Sequence, residues 1–327
     1  MDQELHTFDF SELRTSVLND ENGGDFNLSQ RLVTTMNTEG FVVLRNTGLD
    51  ESMIMQAFFW TIPTANDSFK GEALFKLDDI TKKYFQHGPS PLPHRGYSAI
   101  GQERSGGNAF NHKESYDLGP KHDDLYPNLW PPETTLQGFR SFMEEFFDKL
   151  YSVQVSLLGV LEDGIKVPRG TFCSMHSKAQ NELRLLHYPD VKTGILRDPR
   201  KAVRFGDHTD FGTITILFQD PAGGLEFQST TSAWQEVLSG PTDAVVMFGD
   251  TFQRWTNGKL RAGPHRVRAP SQAGDFTGER YAIAYFCKAN RDQSVGVLPE
   301  FKSYTEESKY ANIKAEEYNQ TRMQGLY

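Results

Sequence analysis

Residues 207–218 read Asp-His-Thr-Asp-Phe-Gly-Thr-Ile-Thr-Ile-Leu-Phe. The second half is an apolar, β-branched run of strand length, and the first half sets two metal-binding residue types two positions apart at its entrance. In extended backbone, residues i and i+2 point to the same side. His208 and Asp210 can therefore grip one ion together. Thr209 and Asp207 face the other way, which makes Asp207 a poor ligand despite its charge. Two further His-x-acid pairs, His112-x-Glu114 and His122-x-Asp124, sit among Lys113, Lys121 and Asp123 in a loop-rich segment. These read as solvated charge.

A third ligand must come from a neighbouring strand, and His265, in Arg-Ala-Gly-Pro-His-Arg-Val-Arg (261–268), is the one histidine downstream of His208. Two imidazoles and a carboxylate on one face of an octahedron leave three positions open, the arrangement of non-haem Fe(II) oxygenases. A zinc hydrolase uses similar donors. Against it, no Glu lies beside a His-x-x-x-His helix to act as general base. Arg280 opens the strand Arg-Tyr-Ala-Ile-Ala-Tyr-Phe (280–286). A guanidinium inside an apolar barrel is costly unless it meets a carboxylate, which its planar fork fits at two points. The spacing thus predicts an anion-binding Arg280, with a rim salt bridge as the alternative.

Outward from this stretch, short strands are expected at Thr213–Phe218, Gly224–Phe227, Ala244–Phe248 and Tyr281–Phe286. They are separated by the turn signals Asp-Pro-Ala-Gly-Gly (220–224), Ser-Gly-Pro (239–241) and Thr-Asn-Gly-Lys (256–259). The pattern is that of an antiparallel sandwich or barrel. Upstream, Leu136, Phe139, Met143, Phe146, Leu150, Val153 and Leu157 recur at helical spacing up to Gly164 and predict one long helix against the barrel. The N-terminal region reads as mixed α/β: a helix through Leu28, Leu32, Val33 and Met36, a strand at Phe41–Leu44, a helix from Asp50 and another near Gly71–Phe85. From Gly88 to Pro132 little regular structure is expected. Ser303-x-x-Glu306 is a capping-box pattern for a last helix running to Arg322. The expected division is 1–130, 131–300 and 301–327, folded as one integrated, mainly β unit with flanking helices.

The 327 residues carry 34 Lys plus Arg against 43 Asp plus Glu, a formal charge of −9. That balance argues against nucleic acid or an anionic membrane and for a small-molecule substrate, with no obligate protein partner implied. Two cysteines, Cys173 and Cys287, supply no disulfide framework and suit a reducing cytosol, where they pack as small apolar residues. The opening Met-Asp-Gln-Glu-Leu-His-Thr-Phe-Asp-Phe has no apolar stretch, and no run approaches the ~20 residues of a membrane span. A cytoplasmic location is expected.

His208-Thr209-Asp210, His265-Arg266-Val267 and Arg280, preceded by Leu185-Leu186-His187-Tyr188-Pro189, resemble the isopenicillin N synthase-like family of Fe(II)- and 2-oxoglutarate-dependent dioxygenases. Further likeness lies in Phe41–Leu44, Arg95-Gly96-Tyr97, Gly101, Glu103, Lys113-Glu114 and Asn128-Leu129-Trp130-Pro131, so it spans nearly the whole chain. The resemblance implies a double-stranded β-helix, or jelly roll, with Fe(II) on His208, Asp210 and His265. It also implies 2-oxoglutarate held at its distal carboxylate by Arg280 and contacted by Tyr188, O2 as oxidant, and tailoring of a secondary metabolite in the style of fungal members. Hydroxylation is the default outcome, with desaturation or ring rearrangement as diversions.

Two departures stand out. The family's Arg-x-Ser is Arg280-Tyr281-Ala282 here, and its Asn-Tyr-Tyr-Pro is Leu186-His187-Tyr188-Pro189. The missing hydroxyl removes a hydrogen bond worth around 1 kcal/mol. It keeps a 2-oxoglutarate-independent oxidase in view, beside a non-catalytic binding barrel. Arg184, four positions before Tyr188, shares its strand face and either meets substrate or forms a structural ion pair. Phe211 either walls the pocket or packs. His187 is expected to point away from the cavity, and His94 and Arg95 to lie in a surface loop.

Overall fold

The run Ile214–Gln219 lies at the centre of an eight-stranded sheet, between Ala244–Phe248 and Arg280–Cys287, in the computed structural model. The structure describes residues 6–19, 28–62, 73–88, 93–105, 109–197, 202–270, 272–303, 305 and 307–324. In chain order the strands are β1 (Thr7–Asp9), β2 (Val42–Arg45), β3 (Gly96–Ser98), β4 (Arg104–Ser105), β5 (Ala109–Asn111), β6 (Glu114–Leu118), β7 (Glu182–Tyr188), β8 (Ala202–Val203), β9 (Phe205–His208), β10 (Ile214–Gln219), β11 (Leu225–Gln228), β12 (Trp234–Glu236), β13 (Ala244–Phe248), β14 (His265–Val267) and β15 (Arg280–Cys287). The large sheet runs β1-β2-β13-β10-β15-β7-β6-β3, a second runs β12-β11-β14-β9, and β4-β5-β8 form a small third. The helices are α1 (Phe10–Asn19), α2 (Leu28–Glu39), α3 (Glu51–Phe59), α4 (Asp79–Lys83), α5 (Phe139–Ile165), α6 (Thr171–Met175), α7 (Asp250–Trp255) and α8 (Ala315–Met323).

The large sheet is buried on both faces, which is why its strands read as continuous apolar runs instead of alternating ones. On β10, Ile214, Ile216 and Phe218 join the core formed with the helices. Leu217 turns the other way, into a second core. That inner core takes Val43, Leu186, Tyr188, Val245, Met247, Ala282 and Ala284 from the large sheet and Leu225, Phe227 and Val267 from the smaller one. Two sheets closing on a shared interior make the expected jelly roll.

Helix α5 supports the outer face through Met143, Phe146, Leu150, Val153, Leu157 and Leu161, an i, i+3/i+4 stripe. It starts at Phe139 and not at Leu136, because Leu136 closes a turn onto the Pro132 carbonyl (3.1 Å) and Gly138 then takes a left-handed conformation (φ 82°). Near its end a Cβ on Gly164 would lie 2.5 Å from the Ser29 carbonyl oxygen, so only glycine lets α5 approach α2 this closely.

The structure departs from the sequence reading in three places. The Gly88–Pro132 stretch contributes β3 and β6 to the large sheet, and β6 is wholly buried. Glu114 and Lys113 are therefore interior, not solvated. The pattern hid this because the polar residues of β6 are satisfied by partners distant in sequence: Glu114 by Lys82 (3.0 Å) and His187 (2.7 Å), Asp117 by Arg184 (2.5 Å). His122 and Asp124 are exposed, as expected. Gly71 lies outside the described residues, and the expected helix there is a 3-10 turn at Leu74–Lys76 followed by α4, which Asp78 caps by accepting from the Ile80 and Thr81 amides. The last helix begins at Ala315. Ser303 instead accepts from the Thr305 amide (3.1 Å), and Glu306 is outside the described residues. Cys287 is buried, Cys173 half-buried, and both are free.

His176 joins α6 to the sheet: its Nδ1 donates to the Phe172 carbonyl (2.7 Å) and its Nε2 lies 2.8 Å from the Thr213 hydroxyl, which also reaches the Cys287 carbonyl (2.9 Å). Burial pushes its pKa down to about 4. The unfolded chain, with a histidine pKa near 6.5, binds the proton more readily, so stability falls as pH drops from about 6.5 toward 4. Between pH 7 and pH 5 the wild type should lose about 2 kcal/mol more than a His176→Gln variant in urea unfolding. Parallel losses in the two proteins would remove this role.

Candidate active site

Strands β9 and β14 pair antiparallel with His208 opposite His265. The two rings lie side by side with their planes tilted by 53°, centroids 4.1 Å apart, backed by Phe205 on one side (4.0 Å) and Phe227 on the other (5.1 Å). Each Nδ1 donates to a backbone carbonyl two residues back, His208 to Gly206 (2.8 Å) and His265 to Gly263 (2.9 Å). A carbonyl only accepts, so the protons sit on Nδ1 and the Nε2 lone pairs are free to ligate. Both Nε2 atoms face Asp210 Oδ1 at 3.8 Å. The three donor atoms lie within 4.8 Å of one another, a spacing that an ion about 2.1 Å from each can bridge. Burial, followed by the adjoining His265, pushes the His208 pKa down to about 3, which keeps it in the neutral, ligating form.

Asp210 is held from two sides. Thr215 Oγ1 donates to its Oδ2 (2.5 Å), leaving Oδ1 for the histidine side. Its carbonyl accepts from the Asp250 amide (2.7 Å), and Asp250 is gripped in turn by Thr209 (2.7 Å), Tyr318 (3.1 Å) and Arg322. Helix α8 is thereby tied to the loop that carries the carboxylate. Asp207 sits at the rim, 3.6 Å from Arg266, and does not join the triad.

Arg280 and Tyr188 are paired across β15 and β7, on the inner face. Arg280 is fully buried, and no carboxylate among the described residues lies within ion-pair distance. Its Nε donates to the Gly223 carbonyl (3.0 Å) and its Nη2 to Gln219 Oε1 (2.9 Å), while Nη1 has no partner. The guanidinium stands 4.9 Å from the Tyr188 ring centroid. Thr215, which touches Asp210, and Gln219, which touches Arg280, are four residues apart on one face of β10, so about 13 Å of strand separates the two ends. Leu217, Ala282 and Ala284 lie along this inner face, and the two alanines leave room over it.

A cavity of about 610 Å³ opens over the triad. Phe205, Phe211, Trp234 and Phe286 form its aromatic side, and His94, Glu103, Glu182, Arg184 and Lys288 its ionic side; Arg322 and Met323 of α8 complete it. Phe211 thus walls the pocket, with Arg322 4.5 Å over its ring. Arg184 lines the cavity yet is also structurally paired, to Asp117 (2.5 Å), Glu103 (3.2 Å) and His94 (2.5 Å). His94 and Arg95 are buried and not in a surface loop, because Arg95 bridges Asp123 and Glu182 (3.3 Å each). His187 points away from the cavity and stacks on Tyr281 (4.6 Å). His94, Asp117 and Glu182 also converge closely enough for an ion, but Arg184, Arg95 and Lys288 already balance those carboxylates.

Sequence reading missed Thr215, Arg204, Glu103, Glu182 and the α8 contribution. Thr215 carried a usable signal, because strand alternation puts it on the Leu217 face; Arg204 stands in the bend before β9, and the register shifts within β9, so alternation does not place it. The others arrive from distant segments and had none.

Residues 180–289 match the 2OG-Fe(II) oxygenase superfamily, and residues 5–133 match the N-terminal region described as non-haem dioxygenase in morphine synthesis. Among relatives, proline hydroxylase buaE of Petromyces alliaceus is 38% identical over 96% of this chain and 98% of its own length. The 2-oxoglutarate-dependent dioxygenase htyE of Aspergillus rugulosus is 34% identical over 99% of both. Neurospora crassa T7H, solved in complex with alpha-KG and thymine, superposes with a TM-score of 0.83 at 30% identity, covering 97% of this chain and 96% of that one. The long helix, the jelly roll and the full-length likeness agree: the chain belongs to the 2OG-Fe(II) oxygenase superfamily and is a non-haem dioxygenase that requires Fe(II), 2-oxoglutarate and O2 to oxidise a small molecule.

Proposed function

We propose that His208, Asp210 and His265 hold the iron, that Arg280 with Tyr188 receives the distal carboxylate of 2-oxoglutarate, and that the reaction hydroxylates an unactivated C–H bond of a secondary metabolite bearing both an ionisable and an apolar part. The observation that carries this reading is Arg280: a fully buried cation with no carboxylate among the described residues to meet it and one donor nitrogen left over. Such a group is stabilised only by an anion that arrives from outside.

Bound iron supplies the redox chemistry with O2 and the co-substrate. The chain does the positioning. The carbonyl-locked imidazoles keep their lone pairs on one point, Thr215 fixes which carboxylate oxygen faces it, and Phe205 and Phe227 exclude water from behind the rings. The aromatic wall takes the apolar body of the substrate and the Arg184–Glu103–Lys288 side its polar group. The relative named as a proline hydroxylase supports hydroxylation, and a cavity of about 610 Å³ suits a substrate larger than a free amino acid. Two free thiols support a reducing, cytosolic setting, and the charge of −9 supports the absence of a nucleic-acid partner. Among the described residues no helix is long and apolar enough to cross a membrane.

With Fe(II), ascorbate, 2-oxoglutarate and air, the protein should form succinate slowly without substrate, and His208→Ala should abolish this. Arg280→Gln should lower it at least tenfold at limiting 2-oxoglutarate. Retention of full turnover by His208→Ala would refute the iron assignment. Thr215→Val, close to isosteric, should weaken Fe(II) binding by about 10- to 100-fold in an anaerobic titration; unchanged affinity would show that the hydroxyl plays no part in orienting Asp210.

A further inference from the structure

Arg280 is not the only cation stranded in the barrel. Arg204, immediately before β9, is 1% exposed. Its Nη2 donates to the carbonyls of Gly278 and Thr277 (3.4 Å for the latter), two residues short of Arg280. Its Nε and Nη1 are buried and have no partner. Among the described residues it makes no ion pair within 4 Å. Burial first, then the repulsion of Arg280, brings its pKa down to about 10, so it remains a cation at neutral pH.

The carboxylates that reach it electrostatically are engaged elsewhere. Asp220 accepts from the amides of Tyr281 (2.7 Å) and Ala222 (3.1 Å), and Asp190 from the amide of Gly278 (2.8 Å). Tyr188 lies within the field of both arginines. Two like charges and three unpartnered donor nitrogens, Nε and Nη1 of Arg204 and Nη1 of Arg280, thus lie within electrostatic reach of Tyr188 in a dry interior. Ala282, two residues after Arg280, offers no hydroxyl to this end of the barrel.

We infer that Arg204 is a second anion-recognising residue, which together with Arg280 and Tyr188 clamps the distal carboxylate of the co-substrate. The inference rests on the assignment of Arg280 made above. A carboxylate placed between the two guanidiniums accepts from both at once, satisfies the orphaned donors and screens the repulsion between them. Arg204 acts on binding and on the choice of co-substrate. It does not touch the reacting atoms.

The test is anaerobic titration of the Fe(II)-loaded protein, read by the visible charge-transfer absorption of a bound 2-oxo acid. Two ligands are compared: 2-oxoglutarate, and 2-oxobutanoate, which chelates alike but lacks the distal carboxylate. Arg204→Gln should bind 2-oxoglutarate on the order of 10- to 100-fold more weakly than wild type and 2-oxobutanoate equally well. Arg204→Lys, which keeps the charge but not the fork, should fall between, and it serves if the Gln variant does not fold. Equal weakening toward both ligands, or none toward either, would overturn the inference and leave Arg204 a structural tie to the Gly278 turn. Arg280→Gln is the companion control. If it weakens 2-oxoglutarate while Arg204→Gln does not, only the second arginine is rejected; if it binds 2-oxoglutarate like wild type, the clamp as a whole is rejected.

Discussion

The interior between two closed sheets is the constraint on which everything else depends. Sheets pack about 10 Å apart, so a polar side chain on an inner face has no water to turn to. Each must be satisfied by a neighbour, by a ligand, or not at all. In this barrel the inner face is apolar along Leu186, Leu217, Val245, Met247, Ala282 and Ala284. The polar exceptions fall at its two ends: His208, Asp210, His265 and Thr215 at one, and Arg280, Gln219 and Arg204 at the other. Chemistry is confined to the places where the apolar packing is interrupted.

At the metal end the backbone sets the accuracy. The two histidines are opposite each other because β9 and β14 pair, and each ring is aimed by a carbonyl of its own strand approach. Ladder and loop fix these positions without any long flexible side chain, so little rotamer freedom remains to be lost when an ion binds. Glycine is required in the supporting loop: a Cβ on Gly249 would fall 2.4 Å from the Gly212 carbonyl oxygen and 3.0 Å from that of Asp210. The close contact between these two turns holds the carboxylate loop against α7, and through Asp250 it also reaches α8.

The elements legible from sequence were those whose burial shows as apolar periodicity. β10, β13, β15 and α5 are of this kind, and so is the i, i+2 spacing of His208 and Asp210. β6 was not legible, because Glu114, Ser115 and Asp117 break the apolar pattern of a strand that is nonetheless wholly buried. Its interior polarity makes sense only once Lys82, His187 and Arg184 are brought beside it from segments distant in sequence. The ionic wall of the cavity was hidden for the same reason. Arg280 was legible as an oddity in an apolar strand, and Arg204 was overlooked because it stands in the bend between β8 and β9, where strand alternation does not carry over.

Buried cations in this protein sort into two kinds, and the difference separates architecture from recognition. Arg184, Arg95, Lys82 and Lys113 each meet a carboxylate of the chain itself, at distances between 2.5 and 3.3 Å. Removing one partner from such a pair leaves an uncompensated charge, so these pairs act as rivets between segments distant in sequence. Arg280 and Arg204 have no such partner among the described residues and spend some of their donors on backbone carbonyls. A fold that, among its described residues, neutralises four buried cations and leaves Arg280 and Arg204 open has not run short of acids: Asp220 and Asp190 act on Arg204 with their oxygens directed to amides. The unbalanced charge is a stable feature of a fully packed interior, and its sign and depth select a ligand that carries its own carboxylate into the barrel.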